Sequence, residues 1–145
     1  MTTAPGATYR VTAHTNGDGT STAVANGQPI RFDSSPTQGD ELPSPADLLT
    51  AAFAACMLKN VERMGELLPF DWTSASVEVR SERQDRPPKM TTIRYRLEIV
   101  TGEAEHRVEL LHRNISRYGT IFNTLAAACD VSGEIVAVRA VADEQ

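Results

Sequence analysis

The chain has 145 residues, which at roughly 100–200 residues per domain predicts a single domain over residues 1–145. With 41% hydrophobic and 23% charged residues it has the make-up of an ordinary globular domain that can bury a core. The 14 Lys and Arg stand against 19 Asp and Glu, a net charge of −5, which argues against a phosphate-binding basic surface, so no nucleic-acid partner is expected.

The opening residues, MTTAPGATYR, have neither a basic segment nor an apolar one, so no secretory signal is expected and the cytoplasm is the expected compartment. Tyr9, Val11 and Ala13 then alternate with Arg10, Thr12 and His14, the period-two pattern of a half-buried strand. Asn16-Gly17-Asp18-Gly19 is a hairpin signal, because these residues accept positive φ. Residues 20–25 are β-rich, Asn26-Gly27 is a second such turn, and residues 30–32 form a third short strand. A three-stranded antiparallel meander is expected, followed by a loop over residues 34–43.

A long helix is expected next. Ser44 is placed to cap it, Pro45 suits its first position, and Asp47 sets a carboxylate against the positive end of its dipole. It runs through LLTAAFAACMLKNVERMGELL to Pro69, apolar nearly all round at first and amphipathic later, as befits the middle of a domain or a subunit interface. Its apolar stretch, residues 48–58, is well short of the ~18 residues of a membrane span, so no membrane partner is expected.

Two strands follow, over residues 74–83 and 91–100, joined by Arg86-Pro87-Pro88-Lys89. Val77 and Val79, then Ile93, Tyr95, Leu97 and Ile99, form their apolar faces; Arg80, Glu82, Arg94, Arg96 and Glu98 alternate in sign on what reads as a solvated face. A helix over residues 105–118 carries Val108, Leu111, Ile115 and Tyr118 on one stripe. Gly119 interrupts it, in a place that suits a left-handed glycine. A further helical piece aligns Ile121, Phe122, Leu125 and Cys129, and residues 134–141 close the chain as a strand. The order βββ-α-ββ-αα-β, without βαβ alternation, indicates an α+β fold. Trp72 and Tyr118 read as packing residues. His14, His106 and His112 read as surface residues without metal-binding spacing, and two cysteines form neither a disulfide scaffold nor a zinc motif, so no metal and no other cofactor is expected.

Cys56 stands in the middle of the long helix. Its helical neighbours are Ala52 and Phe53 on one side and Lys59 and Asn60 on the other, with Arg63 two turns on along the same face. The positive charge of Lys59 favours a thiolate, the form in which a cysteine is a nucleophile. The alternative is a small buried hydrophobe, a common fate of free cysteine. Cys129 lies ten residues beyond Gly119, about 15 Å along if that segment is helical, and continues an apolar stripe, so it is read as core and no Cys56–Cys129 disulfide is expected.

Ser44-Pro45-Ala46-Asp47-Leu48-Leu49, followed by Ala51-Ala52-Phe53-Ala54-Ala55-Cys56, resembles the OsmC/Ohr family of osmotically inducible and organic-hydroperoxide-resistance proteins. Arg113-Asn114-Ile115 and Thr120-Ile121-Phe122-Asn123-Thr124-Leu125 match more loosely, and the likeness runs from about residue 9 to residue 140. The resemblance implies an intertwined homodimer with two long central helices packed between sheets and an active site at the dimer interface. It implies that Cys56 attacks a peroxide oxygen and becomes a sulfenic acid. In the family, a second cysteine at the start of the other helix then closes a disulfide, and an arginine held by a glutamate binds the peroxide. This chain departs from that pattern at three positions. The second cysteine falls at Gly119, the glutamate at Ala46 beside Asp47, and the arginine at Gly17. The expectation is therefore reduction of organic hydroperoxides, in oxidative stress defence, by one reactive cysteine, Cys56. An external thiol would be the reductant, with Lys59, Arg10 and Arg31 as candidate cations to orient the peroxide. The alternative is a non-catalytic homodimer of the same fold that binds a small apolar ligand in the interface cavity.

Overall fold

The computed structural model describes residues 6–37, 39 and 41–139. Its elements are β1 (Val11–Thr15), β2 (Thr20–Ala25), β3 (Gln28–Asp33), α1 (Pro45–Leu67), β4 (Ser74–Asp85), β5 (Pro88–Val100), α2 (Glu105–Tyr118), α3 (Thr120–Ala126) and β6 (Asp130–Val138). This is the expected order of an α+β fold, divided into two compact units, Met1–Leu49 and Thr50–Gln145.

In the first unit β1, β2 and β3 pair antiparallel in chain order. The two tight turns are where the sequence places them. Asn26 at φ 50° and Gly27 at φ 75° make a two-residue turn whose twist matches the strands it joins. Gly17 and Gly19, at φ 80° and 91°, flank Asp18, whose Oδ1 accepts from the Thr20 amide at 2.9 Å and its hydroxyl at 2.7 Å. One expectation fails here: β1 is not half-buried, because every one of its residues is exposed. Among the unit's described residues only Ser21 is buried. Three short strands by themselves are too small to bury a face of their own.

The second unit is organised around α1 and a sheet in the order β4-β5-β6. The helix starts with a reciprocal cap: Ser44 Oγ accepts from the Asp47 amide at 3.1 Å, and Asp47 Oδ2 accepts from the Ser44 amide at 2.9 Å. It buries Phe53, Met57, Asn60, Val61, Met64 and Gly65, a stripe at helical spacing. Its end is held from outside. Arg107 donates through Nη2 to the carbonyls of Leu68 (2.8 Å) and Pro69 (3.1 Å), just past the helix, and through Nε to Glu103 (2.9 Å), while the helix's own Met64 and Gly65 carbonyls accept from the Leu68 and Phe70 amides.

β4 and β5 form a long antiparallel hairpin. On β5, Ile93, Tyr95, Leu97 and Ile99 face a core shared with Phe53, Met57 and Val61 of α1 and Val108, Leu111 and Ile115 of α2. The opposite face carries the alternating charges, paired as Arg94–Asp130 (2.8 Å), Arg80–Glu78 (3.0 Å) and Arg96–Glu134 (3.5 Å). Such exposed pairs add little stability, so the apolar face holds the sheet.

β6 corrects two expectations. It runs parallel to β5, from Thr92↔Asp130 to Val100↔Val138, so β5-α2-α3-β6 is a crossover of the βαβ kind. It also begins at Asp130, four residues earlier than expected, because α3 stops at Ala126 and Cys129 lies in the turn. The expected end at residues 140–141 lies outside the described residues. Trp72 packs on the core, as expected; Tyr118 does not, being 47% exposed with the Arg117 guanidinium 5.4 Å above its ring. No helix among the described residues is long and apolar enough to cross a membrane.

Candidate functional site

Cys56 sits at mid-helix on α1 as a free, partly exposed thiol. The helix turn sorts its neighbours. Phe53, one turn back, is fully buried; Asn60, one turn on, is only 7% exposed; Lys59 points into solvent. Asn60 bends back along the helix. Its Nδ2 donates to the Cys56 carbonyl at 2.7 Å and lies 3.4 Å from Cys56 Sγ. Short polar side chains commonly return to the carbonyl one turn back in this way, but here the same amide also meets a sulfur.

Position 119 joins this group. Gly119 is buried between α2 and α3; its N–H donates to Ile115 O at 3.1 Å and its carbonyl accepts from the Asn123 amide at 2.9 Å. Its backbone is extended, φ −74° and ψ 117°, so the expected left-handed glycine is not found. Space is tight there instead. A Cβ there would stand 3.0 Å from both Ile115 O and Phe122 Cβ, and 3.4 Å from Asn60 Nδ2. The Asn60 amide thus lies close both to Cys56 Sγ and to the position where the family pattern has its second cysteine.

An aromatic cluster lies beneath this turn of α1. Phe53 stacks on Phe122 with ring centres 5.4 Å apart, and Tyr95 contacts Phe53 at 5.9 Å and Phe122 at 6.0 Å. Tyr95 Oη and His112 Nε2 share a hydrogen bond of 2.6 Å. Burial pushes the Tyr95 phenol up and the His112 imidazole down from their ordinary values, and a hydrogen bond with Ser116 partly opposes the first shift. His112 is therefore not the surface histidine the sequence suggested. Its position one turn after Val108, beside the Leu111 and Ile115 stripe, was the available signal.

The remaining predicted residues lie elsewhere. Cys129 packs against the core with Sγ donating to Met90 O at 3.5 Å, and both cysteines are free thiols. Arg10 and Arg31 belong to the N-terminal unit and are exposed. Arg31, on β3, adds its charge to the Thr20 hydrogen bonds that hold the Asp18 carboxyl below its usual range. Of the predicted site residues, α1 itself brings together Cys56 and Lys59, and the packing of α1 on the α2–α3 junction adds position 119. Further along α1 a cleft of about 260 Å³ is lined by Arg63, Met64, Leu67, Leu68, Asn114 and Tyr118. Among the described residues no three His, Cys, Asp or Glu side chains converge as a metal site would require.

A capped helix bearing a mid-helix cysteine, set against a sheet completed by a two-helix crossover, defines a class of α+β proteins. The family model for OsmC-like proteins matches residues 38–134, more than half of the chain, and the chain belongs to that family. Solved structures share the fold. An OsmC-like protein of Mycoplasma pneumoniae is 21% identical, with a TM-score of 0.83 over 91% of this chain and 98% of that one. An organic hydroperoxide resistance protein OsmC of Legionella pneumophila is 17% identical, with a TM-score of 0.73 over 91% and 98% of the two chains. The organic hydroperoxide resistance protein OhrB of Bacillus subtilis is 16% identical, with a TM-score of 0.66 over 89% and 98%. No curated protein matches the sequence.

Proposed function

We propose that this chain is a thiol-dependent peroxidase for organic hydroperoxides, acting in the cytoplasm as a homodimer of one OsmC-like domain, with Cys56 as its reactive residue. The observation that carries the reading is a partly exposed free thiol on α1, beside a buried amide donor, in a chain of the OsmC-like family. The hydroperoxide resistance named for two of its structural neighbours points to the substrate class. The Cys56 thiolate attacks a peroxide oxygen; the S–O bond forms, the O–O bond breaks, and the alkoxide takes a proton and leaves as the alcohol. Sulfur is oxidised to the sulfenic acid. With glycine at position 119, a first external thiol condenses with it and releases water, and a second frees the Cys56 thiol and departs as a disulfide. Lys59, Arg10 and Arg31 are the candidates to orient the peroxide. The homodimer reading rests on apolar surface that a single chain leaves open, including Tyr9 (84% exposed) and Leu67 (62%), and on the exposed β1.

The test compares wild type with Cys56→Ser, following loss of an alkyl hydroperoxide under excess small thiol. Turnover in wild type alone is the expected result; equal, slow loss in both contradicts it. The cleft lined by Met64, Leu67, Leu68 and Tyr118, with Arg63 and Asn114, favours a second reading, a non-catalytic binder of a small, largely apolar ligand. Equal loss in the two proteins would favour that one.

A further inference from the structure

We propose that Asn60 is the positioning residue of Cys56, holding its sulfur through the side-chain amide. The inference rests on the reading of Cys56 as the reactive thiol and extends it. A buried amide on the core face of a helix, among Phe53, Met57, Val61 and Met64, is costly unless its hydrogen bonds are made. The carbonyl of Cys56 satisfies one N–H at 2.7 Å. The approach of the same nitrogen to Sγ at 3.4 Å goes beyond what satisfying the helix requires. A donor placed there favours the anionic sulfur and hence its attack on an electrophile. The same amide stands 3.4 Å from where a side chain at position 119 would begin, so it packs on the α2–α3 junction while it meets the sulfur. Asn60 thus readies the sulfur for attack.

The test measures the rate at which iodoacetamide alkylates Cys56 near neutral pH, resolved from Cys129 by peptide mass spectrometry, in wild type, Asn60→Ala, Asn60→Asp and Asn60→Ser. Serine keeps a hydroxyl able to bond the carbonyl one turn back, so it preserves the helix contact while withdrawing the donor from sulfur. Alkylation is expected to fall about tenfold in the alanine and serine variants, and further in the aspartate variant, which sets a negative charge beside the sulfur. Circular dichroism identifies the variants that remain folded. Cys56 reacting as fast or faster in every folded variant would overturn the proposal. Oxidation of wild type by one equivalent of alkyl hydroperoxide is read in parallel. If Cys56 resists the peroxide while alkylation still depends on Asn60, the positioning role stands and the peroxidase reading falls. If Cys56 is oxidised but alkylation ignores Asn60, the reverse holds.

Discussion

Around Cys56 the packing of single residues sets the chemistry: the Asn60 amide meets the sulfur at 3.4 Å, Gly119 fills a crowded junction, and His112 shares a half-buried hydrogen bond with Tyr95. Cys56 was legible, because a cap, a proline and an alanine-rich run fix its place on a helix. Asn60 was visible only as a neighbour at i+4; its return to the Cys56 carbonyl and sulfur depends on burial that one helix cannot reveal. Gly119 is legible as a junction but not as a tight contact, since its φ is ordinary and only the packing of Ile115 and Phe122 shows how little room a side chain has there. His112 carries a prediction of its own. Burial lowers its folded-state value below the 6.5 of an exposed imidazole, so below about pH 6.5 the unfolded chain binds this proton more readily than the folded one. Stability should fall as pH drops from 6.5 until the lower folded-state value is passed. Thermal melts of wild type and His112→Gln across this window check it, and the variant should show the flatter curve. The carboxylates of Asp18, Asp33, Asp47 and Glu103 are all held low, chiefly by hydrogen bonds, and lose their contributions only below about pH 4.5, so the fall just below pH 6.5 is not theirs.

At the scale of elements, local chemistry was the reliable guide and long-range pairing was not. Asn26-Gly27 set one hairpin turn, and Ser44, Pro45 and Asp47 set the start of α1, because each acts within a few residues. The parallel pairing of β6 with β5 spans the whole α2–α3 segment, and no local pattern encodes it. Cys129 packs on the core as its place in the stripe suggests, but that stripe overstates the helix, which has already ended at Ala126. The cap of α1 gives a direct check, since this helix carries the candidate nucleophile. Ser44→Ala removes the oxygen that accepts from the Asp47 amide and should cost about 1 kcal/mol in a urea titration. Chemical reactivity at Cys56, three turns away, should be almost unchanged.

At the scale of the whole molecule, the exposed N-terminal meander is the feature that the chain alone explains least. Its alternating pattern has the form of a half-buried strand, yet β1 buries nothing. A partner chain that covers it would reconcile sequence with structure, and light scattering should find twice the monomer mass of 15.8 kDa. A monomer at micromolar concentration would contradict the homodimer. The central claim concerns one sulfur atom, and the most direct measurement treats the protein with one equivalent of alkyl hydroperoxide, traps sulfenic acid with a dione reagent and maps the product by mass spectrometry. The account predicts a single adduct per chain, at Cys56, that no longer forms when a small thiol is added before the trap. An unmodified Cys56, with the peroxide intact, would contradict it.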